Sequence, residues 1–321
     1  MKFATIGHLR EKSDIGFFPK SWRERKNLLI SPEIDVQGTK GYLTGLTLTA
    51  HQMMSMPVGE VRDAILDVAV FVQEEFGVDL IQLGALTTSV TEGGVWMIRQ
   101  KRYSGFVNHG DSYTALVTCQ NVFRVLELFS KKPADQGLAI VGAYGVIGEA
   151  VSKILVPLFH KSLLVGRRID KLEELQQNLK GKCEISCDLE KIRDADVVVA
   201  ATSHPTALLG SEHLKRNAVV VDVSQPPNLS VDVCQQRPDI VRVDGGLVSF
   251  STQISIPGLP HGRNFACIVE VIMQAMENEH KNHVGSIDLK HLKKTERWAE
   301  KYGFTLNELT NFGKPISSMR E

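Results

Sequence analysis

Between Pro57 and Phe76 the apolar residues Val58, Val61, Ile65, Val68, Val72 and Phe76 recur at intervals of three and four. That period predicts an amphipathic helix with Pro57 near its start. Before it, "GYLTGLTLT" (Gly41 to Thr49) reads as a strand, and after it "DLIQLG" (Asp79 to Gly84) reads as a short strand leading into a Thr/Ser-rich loop. A second helix is predicted from Ser112 to Phe129. The polar stretch "SKKPADQG" (Ser130 to Gly137) carries a Pro, a Gly and no periodicity, so it reads as a linker.

Beyond the linker the pattern becomes a regular alternation. "LAIVG", "SLLVG", "CEISCD", "DVVVAAT", "AVVVDVS" and "IVRVDGG" are short Val/Ile-rich runs, as expected of parallel strands buried on both faces. Helical stretches lie between them, one from about Val146 and one opened by Asp170. This is the signature of a doubly wound, Rossmann-type α/β domain. The last sixty residues read as helical with no sheet of their own. The expected organisation is therefore an N-terminal α/β substrate domain (1–132), a dinucleotide-binding domain (133–260) and a C-terminal helical segment (261–321) that packs back on the first.

Composition narrows the function classes. The chain has 321 residues, 43% hydrophobic and 23% charged, with a formal net charge of zero. This is an ordinary globular balance, and it argues against bulk nucleic acid or a membrane surface as partner. No apolar run approaches the roughly 20 residues of a spanning helix, and the first residues lack the apolar core of a secretion signal. There is no internal repeat. Five scattered cysteines complete no zinc spacing, so reduced thiols and a cytoplasmic location are expected. His280 and His283 stand among Glu and Lys and read as solvated; no metal site is expected.

Gly142, Gly145 and Gly148 in "GAYGVIG" follow a buried strand and open a helix, the context that makes a glycine triplet a dinucleotide signal. Gly142, Ala143, Tyr144, Gly145, Val146, Ile147 and Gly148 would approach the pyrophosphate, helped by the free N–H groups of the helix start. The second strand of this domain ends in Gly166, Arg167 and Arg168. Two arginines in place of an acid suit a 2′-phosphate, so NADPH is expected over NADH. Later strand ends would line the nicotinamide half: Thr202 and Ser203, Asp222 and Val223, and Gly245 with Gly246.

"HGRNFACIVEVIMQAMEN" (His261 to Asn278) turns from a Pro/Gly-rich lead into an apolar helix. With a start near Gly262 to Asn264, Cys267 would occupy an early turn, with Arg263 four residues before it. Both features would lower a thiol pKa. The apolar neighbours Phe265, Ala266, Ile268 and Val269 favour instead a small buried core residue.

Several stretches, in order, resemble the cyanobacterial long-chain acyl-[acyl carrier protein] reductases. They are "IGHL" at Ile6, "LGALTTSVTEGG" at Leu83, "HGDSYTALVTCQ" at His109, the glycine loop, "LLVGRRIDKLEELQ" at Leu163 and "NFACIVEVI" at Asn264. The resemblance implies that Cys267 is a nucleophile. It would take an acyl group from acyl carrier protein or coenzyme A, and NADPH would reduce the thioester to a fatty aldehyde for a downstream aldehyde-using enzyme. Ser112, Thr114, His109 and His261 are then candidates to stabilise the oxyanion, and Arg263 to support the thiolate. The basic face of Asp288 to Phe304 (Lys290, Lys293, Lys294, Arg297) is a candidate dock for an acidic carrier. This chain departs from the family pattern in three respects: it is shorter, Asp111 stands where an Asn is usual, and "TEGG" replaces "FEEF". Two other readings stay open. One is an NADP-dependent alcohol or keto-acid dehydrogenase of the shikimate dehydrogenase type; the other is a non-catalytic dinucleotide-binding protein.

Overall fold

The computed structural model describes residues 1–25, 27–249, 256–306 and 308–316. In chain order the strands of the first sheet are β1 (Phe3–Leu9), β2 (Arg23–Arg25), β3 (Leu28–Ile30), β4 (Ile34–Val36), β5 (Thr39–Thr49), β6 (Leu80–Leu83) and β7 (Phe106–Asn108). Helices α1 (Ala50–Ser55), α2 (Val58–Phe76), α3 (Leu86–Val90) and α4 (Val95–Ile98) lie among them, and α5 (Asp111–Leu128) follows. The second sheet comprises β8 (Gly137–Val141), β9 (Lys161–Val165), β10 (Glu184–Ser186), β11 (Val197–Ala200), β12 (Val219–Asp222) and β13 (Val241–Asp244), with α6 (Val146–Leu155), α7 (Ile169–Gln177) and α8 (Val231–Gln236). After them come β14 (Leu247–Ser249), β15 (Arg263–Phe265), α9 (Ala266–Met276), α10 (Leu289–Tyr302), β16 (Thr310–Asn311) and β17 (Lys314–Pro315).

The chain divides into two compact units. The first gathers Met1–Tyr113, Ser249–Ile287 and Lys294–Thr305; the second gathers Thr114–Val248, Asp288–Lys293 and Leu306–Glu321. Both are α/β. The expected boundary in the polar linker at 132/133 is replaced by one inside α5. The expected return of everything after residue 261 to the N-terminal part is also modified, because Asp288–Lys293 and Leu306–Glu321 belong to the second unit.

In the first unit the sheet order is β2-β3-β5-β1-β6-β7, with β4 also on β5. β1 pairs parallel with β5 and β6, and β6 parallel with β7, while β2, β3 and β4 add antiparallel pairs. Ala4 and Ile6 of β1, Ile81 and Leu83 of β6 and Val107 of β7 share a core with the apolar stripe of α2, including Val61, Ile65, Val68 and Val72. The stripe read from the sequence is thus the buried face. α2 stops at Gly77, whose φ of 65° is the left-handed conformation that glycine adopts most readily. α9 packs on β1, β5 and β6.

In the second unit all six strands are parallel, in the order β10-β9-β8-β11-β12-β13. Counted from β8 this is 3-2-1-4-5-6, the doubly wound arrangement whose strand order reverses between β8 and β11. The Val-rich runs are buried throughout, as in Val197, Val198, Val199, Val219, Val220 and Val221. The hairpin β16–β17 is fastened in this unit by Asp244. That carboxylate accepts from Thr310 Oγ1 at 2.8 Å, from the Phe312 and Gly313 N–H groups at 3.1 and 2.8 Å, and from Arg242 at 2.7 Å.

Candidate active site

In the first unit, β7 ends at Asn108 and the chain turns through His109 and Gly110 into α5. Gly110 has φ +73°, and a Cβ there would stand 2.3 Å from the Cys267 carbonyl oxygen and 2.6 Å from its Cα. Only glycine lets this turn lie flat on the start of α9. The fit is held by a buried amide–carboxylate network. Asn108 Nδ2 donates to Glu270 Oε1 (3.2 Å) and Gln274 Oε1 (2.7 Å), its Oδ1 accepts from the Gly110 N–H (2.6 Å), and Glu270 Oε2 accepts from the Tyr113 N–H (2.7 Å). Asn108, Glu270 and Gln274 are wholly buried. The segment after α9 flanks β7 on its other side: His283 N–H donates to the Val107 carbonyl (2.9 Å), and His109 N–H donates to the His283 carbonyl (3.1 Å). The Asp111 N–H donates to His109 Nδ1 (2.9 Å), which makes Nδ1 the acceptor nitrogen of that ring. The Asp111 carboxylate lies 3.6 Å from the same atom.

Electrostatics at Cys267 run against the expectation from the helix start. α9 begins at Ala266, two residues or more later than the periodicity indicated, because Arg263 to Phe265 are extended. Cys267 is therefore in the first turn, where its own N–H and that of Ile268 favour the thiolate. Desolvation by the surrounding protein outweighs them, although the residue as a whole stays partly exposed; Asp111 comes next and Glu270 adds to it, and the thiol is pushed up to about 12. Arg263 lies outside the helix, and its guanidinium donates to Ser249 Oγ at 2.7 Å. Burial, and then the neighbouring Glu270, drives Asp111 well above the ordinary carboxylate range.

Of the oxyanion candidates, His109 and Ser112 are buried in this unit, whereas His261 is exposed. Thr114 belongs to the second unit, where its carbonyl accepts from Thr118 Oγ1 at 2.8 Å. Sequence reasoning missed the network of Asn108, Glu270 and Gln274, since its members are far apart in the chain. It also missed Asn264, which is wholly buried; neither atom of its side-chain amide meets a hydrogen-bond partner among the described residues. His283 is a further correction. It is buried, with Nε2 3.6 Å from Glu279 Oε2, and only His280 is exposed.

In the second unit the glycine loop is a tight turn between β8 and α6 with no room for side chains at two of its glycines. Gly142 has φ +83°, and a Cβ there would be 2.4 Å from the Ala201 carbonyl oxygen. At Gly148 a Cβ would be 2.1 Å from the Gly142 carbonyl oxygen, so α6 can approach the loop only without one. Gly145 donates to the Gly142 carbonyl (3.0 Å) and precedes the first turn, Val146, Ile147 and Gly148, whose N–H groups have no helical partner. Ala143 is buried, and its N–H donates to the Val165 carbonyl at 3.2 Å. The Tyr144 ring lies over Gly166, where a Cβ would meet it at 2.4 Å. Arg167 and Arg168 are exposed after β9, and Arg168 pairs with Asp170 at 2.5 Å. An acid is therefore present beside the arginines, two residues further on.

At the later strand ends, Thr202 and Ser224 converge on Asn228. Thr202 Oγ1 and Ser224 Oγ donate to Asn228 Oδ1 at 2.6 and 3.0 Å, and the Thr202 N–H donates to Ser224 Oγ at 3.0 Å. Thr202 and Ser203 follow β11 and stay partly open. Asp222 turns inward instead: buried, it accepts from Arg242 (3.3 Å), Ser224 N–H (3.2 Å) and Leu229 N–H (3.0 Å). Its place is structural. Val223 donates to the Ala200 carbonyl (2.9 Å), and a Cβ on Gly245 would meet Val223 at 2.9 Å. Gly246 has the Thr114 methyl as a neighbour.

The model of the shikimate/quinate 5-dehydrogenase family matches residues 126–244, the strand-rich part of the second unit. The chain is 23% identical over 294 residues to the aminotransferase PigE of a Serratia species, covering 88% of this chain and 34% of that protein. It is 27% identical over 225 residues to the long-chain acyl-[acyl-carrier-protein] reductase of Synechococcus elongatus, covering 65% of each. A glutamyl-tRNA reductase of Methanococcus maripaludis is 31% identical over 106 residues, 31% of this chain and 27% of that protein. The chain thus spans about a third of the first relative and just under two thirds of the second. Among solved structures, shikimate dehydrogenase of Aquifex aeolicus aligns over 92% of this chain and 97% of its own, at 12% identity and a TM-score of 0.42. The second unit has a doubly wound fold of Rossmann type. No helix of the described residues is long and apolar enough to cross a membrane.

Proposed function

We propose that this protein is an NADPH-dependent reductase that converts a fatty acyl thioester to an aldehyde through an acyl-enzyme on Cys267. The observation that carries this reading is the setting of Cys267. It lies in the first turn of a helix, under a glycine turn, beside two buried carboxyl groups. The dinucleotide loop in the same chain and the likeness to an acyl-[acyl-carrier-protein] reductase support it.

Acylation needs only this chain's residues and the thioester. Cys267 Sγ attacks the acyl carbon, the bond to the carrier sulfur breaks, and the thiol proton leaves with the carrier thiol. The N–H groups of the first turn of α9 are donors that strengthen as negative charge builds there. NADPH, when bound, would supply the hydride that takes the acyl group to the aldehyde level. Gly142, Gly145, Gly148 and the first turn of α6 would hold its pyrophosphate, Arg167 and Arg168 its 2′-phosphate, and Thr202 and Ser203 its nicotinamide end. The exposed Lys290, Lys293 and Arg297 of α10 would meet an acidic carrier; Lys294 on the same face already pairs with Glu279 at 2.9 Å.

The test is incubation with acyl thioesters of several lengths, without cofactor, followed by peptide mass analysis. Added acyl mass at Cys267 is expected. The shikimate-type family match favours a second reading, a dehydrogenase acting on a non-covalently bound substrate. It predicts no acyl adduct.

A further inference from the structure

Burial and two carboxyl groups hold the Cys267 thiol protonated, so a thioester that reaches it meets a thiol rather than a thiolate. Something close by must accept the proton as the sulfur attacks. The glycine turn on Cys267 carries two titratable side chains, one on either side of Gly110: His109 before it and Asp111 after it. His109 Nδ1 is already occupied by the Asp111 N–H. From α9, Glu270 faces the same pocket with both oxygens engaged, Oε1 by Asn108 Nδ2 and Oε2 by the Tyr113 N–H. The remaining carboxyl group, and the stronger of the two acting on Cys267, is Asp111.

We propose that Asp111, next to the glycine turn that lies on Cys267, is the proton acceptor for the Cys267 thiol, with Glu270 as its neighbouring buried carboxyl group and His109 as the residue that positions its backbone. The inference rests on the acyl-enzyme reading above. In the step, the Sγ–C(acyl) bond forms and the C–S bond to the carrier breaks. The proton passes from Sγ to the Asp111 carboxylate and then to the departing carrier sulfur, leaving Asp111 ionised as it began. Burial, and then the neighbouring Glu270, raise the proton affinity of Asp111, the direction a general base requires.

A bystander and a base at position 111 predict opposite signs. The full chain is incubated with octanoyl-coenzyme A, without cofactor, and acyl mass at Cys267 is followed from acid to alkaline pH. The expected wild-type rate rises along one acid limb to a plateau. Asp111→Asn is expected to lower the plateau roughly a hundredfold, with partial rescue by added formate. Glu270→Gln is expected to move the acid limb to lower pH, because Asp111 then binds its proton less tightly. If Asp111 merely opposes the thiolate, Asp111→Asn removes an unfavourable charge and acylation becomes faster, which overturns the proposal. A wild-type rate that climbs without plateau toward the thiol's own pKa overturns it as well, and that readout survives even if the variants fail to fold. Absence of any acyl label on wild-type Cys267 would instead refute the acyl-enzyme reading. Iodoacetamide alkylation of Cys267 then provides the same comparisons.

Discussion

Around Gly142 the chain presents backbone and removes side chains; around Cys267 it buries polar side chains and lets them settle one another's charge. The loop's shape comes from absent Cβ atoms and a helix start with free N–H groups, properties carried by a few consecutive residues. The pocket works through Asn108, Asp111, Glu270 and Gln274, drawn from two segments some 160 residues apart. A site of the first kind tolerates change nearly everywhere except at its glycines. A site of the second kind couples fold and chemistry, so a single substitution disturbs both.

The largest expected effect sharpens this contrast. Cys267→Ser should leave the fold and dinucleotide binding intact yet cut aldehyde formation by about a thousandfold or more, with no acyl adduct by mass. A folded serine variant turning over near the wild-type rate would return Cys267 to the core. Next comes the same substitution made in both sites. Gly110→Ala places a methyl against the Cys267 backbone at φ +73° and should cost about 3 kcal/mol of stability in urea unfolding. Gly148→Ala should chiefly weaken dinucleotide binding in a fluorescence titration, since its collision is with the loop itself. Equal stability losses without loss of affinity would erase the distinction.

Smaller effects belong to the rims. Arg167→Ala should weaken NADPH roughly tenfold while sparing NADH. Arg168→Ala should do less, because part of its charge is already met by Asp170. Reversing Lys293 and Lys294 to Glu should raise KM for a carrier-linked acyl substrate a few-fold, more at low salt, and leave the coenzyme A substrate nearly unchanged. An identical KM for both would make this face an ordinary solvated one.

The same contrast explains what the sequence disclosed. The strand runs of the second unit and the stripe of α2 carry their periods locally, so both could be read within a residue or two. The glycine loop was legible for the same reason. The start of α9 was misplaced because Arg263 to Phe265, extended in the structure, have no polar–apolar pattern distinct from a first helical turn. The expected activation of Cys267 reversed in sign because burial and the acids of α5 and α9 are tertiary facts. Asp222 looked like a crevice residue by its place after a strand; its inward turn depends on Arg242, a strand away.

The clasp on Asp244 has a consequence in time rather than in space. Asp244 and Arg242 are buried at the end of β13, yet the hydroxyl and N–H groups that satisfy the carboxylate come from Thr310, Phe312 and Gly313. Thr310 lies 66 residues later in the chain. At ordinary rates of synthesis that is a delay of roughly 3–13 s. During it the edge of the parallel sheet carries an ion pair without its cover. A nascent chain arrested before residue 310 should therefore show a protease-sensitive β13 while β8 to β11 are already protected, and release of the hairpin should close that edge in one step.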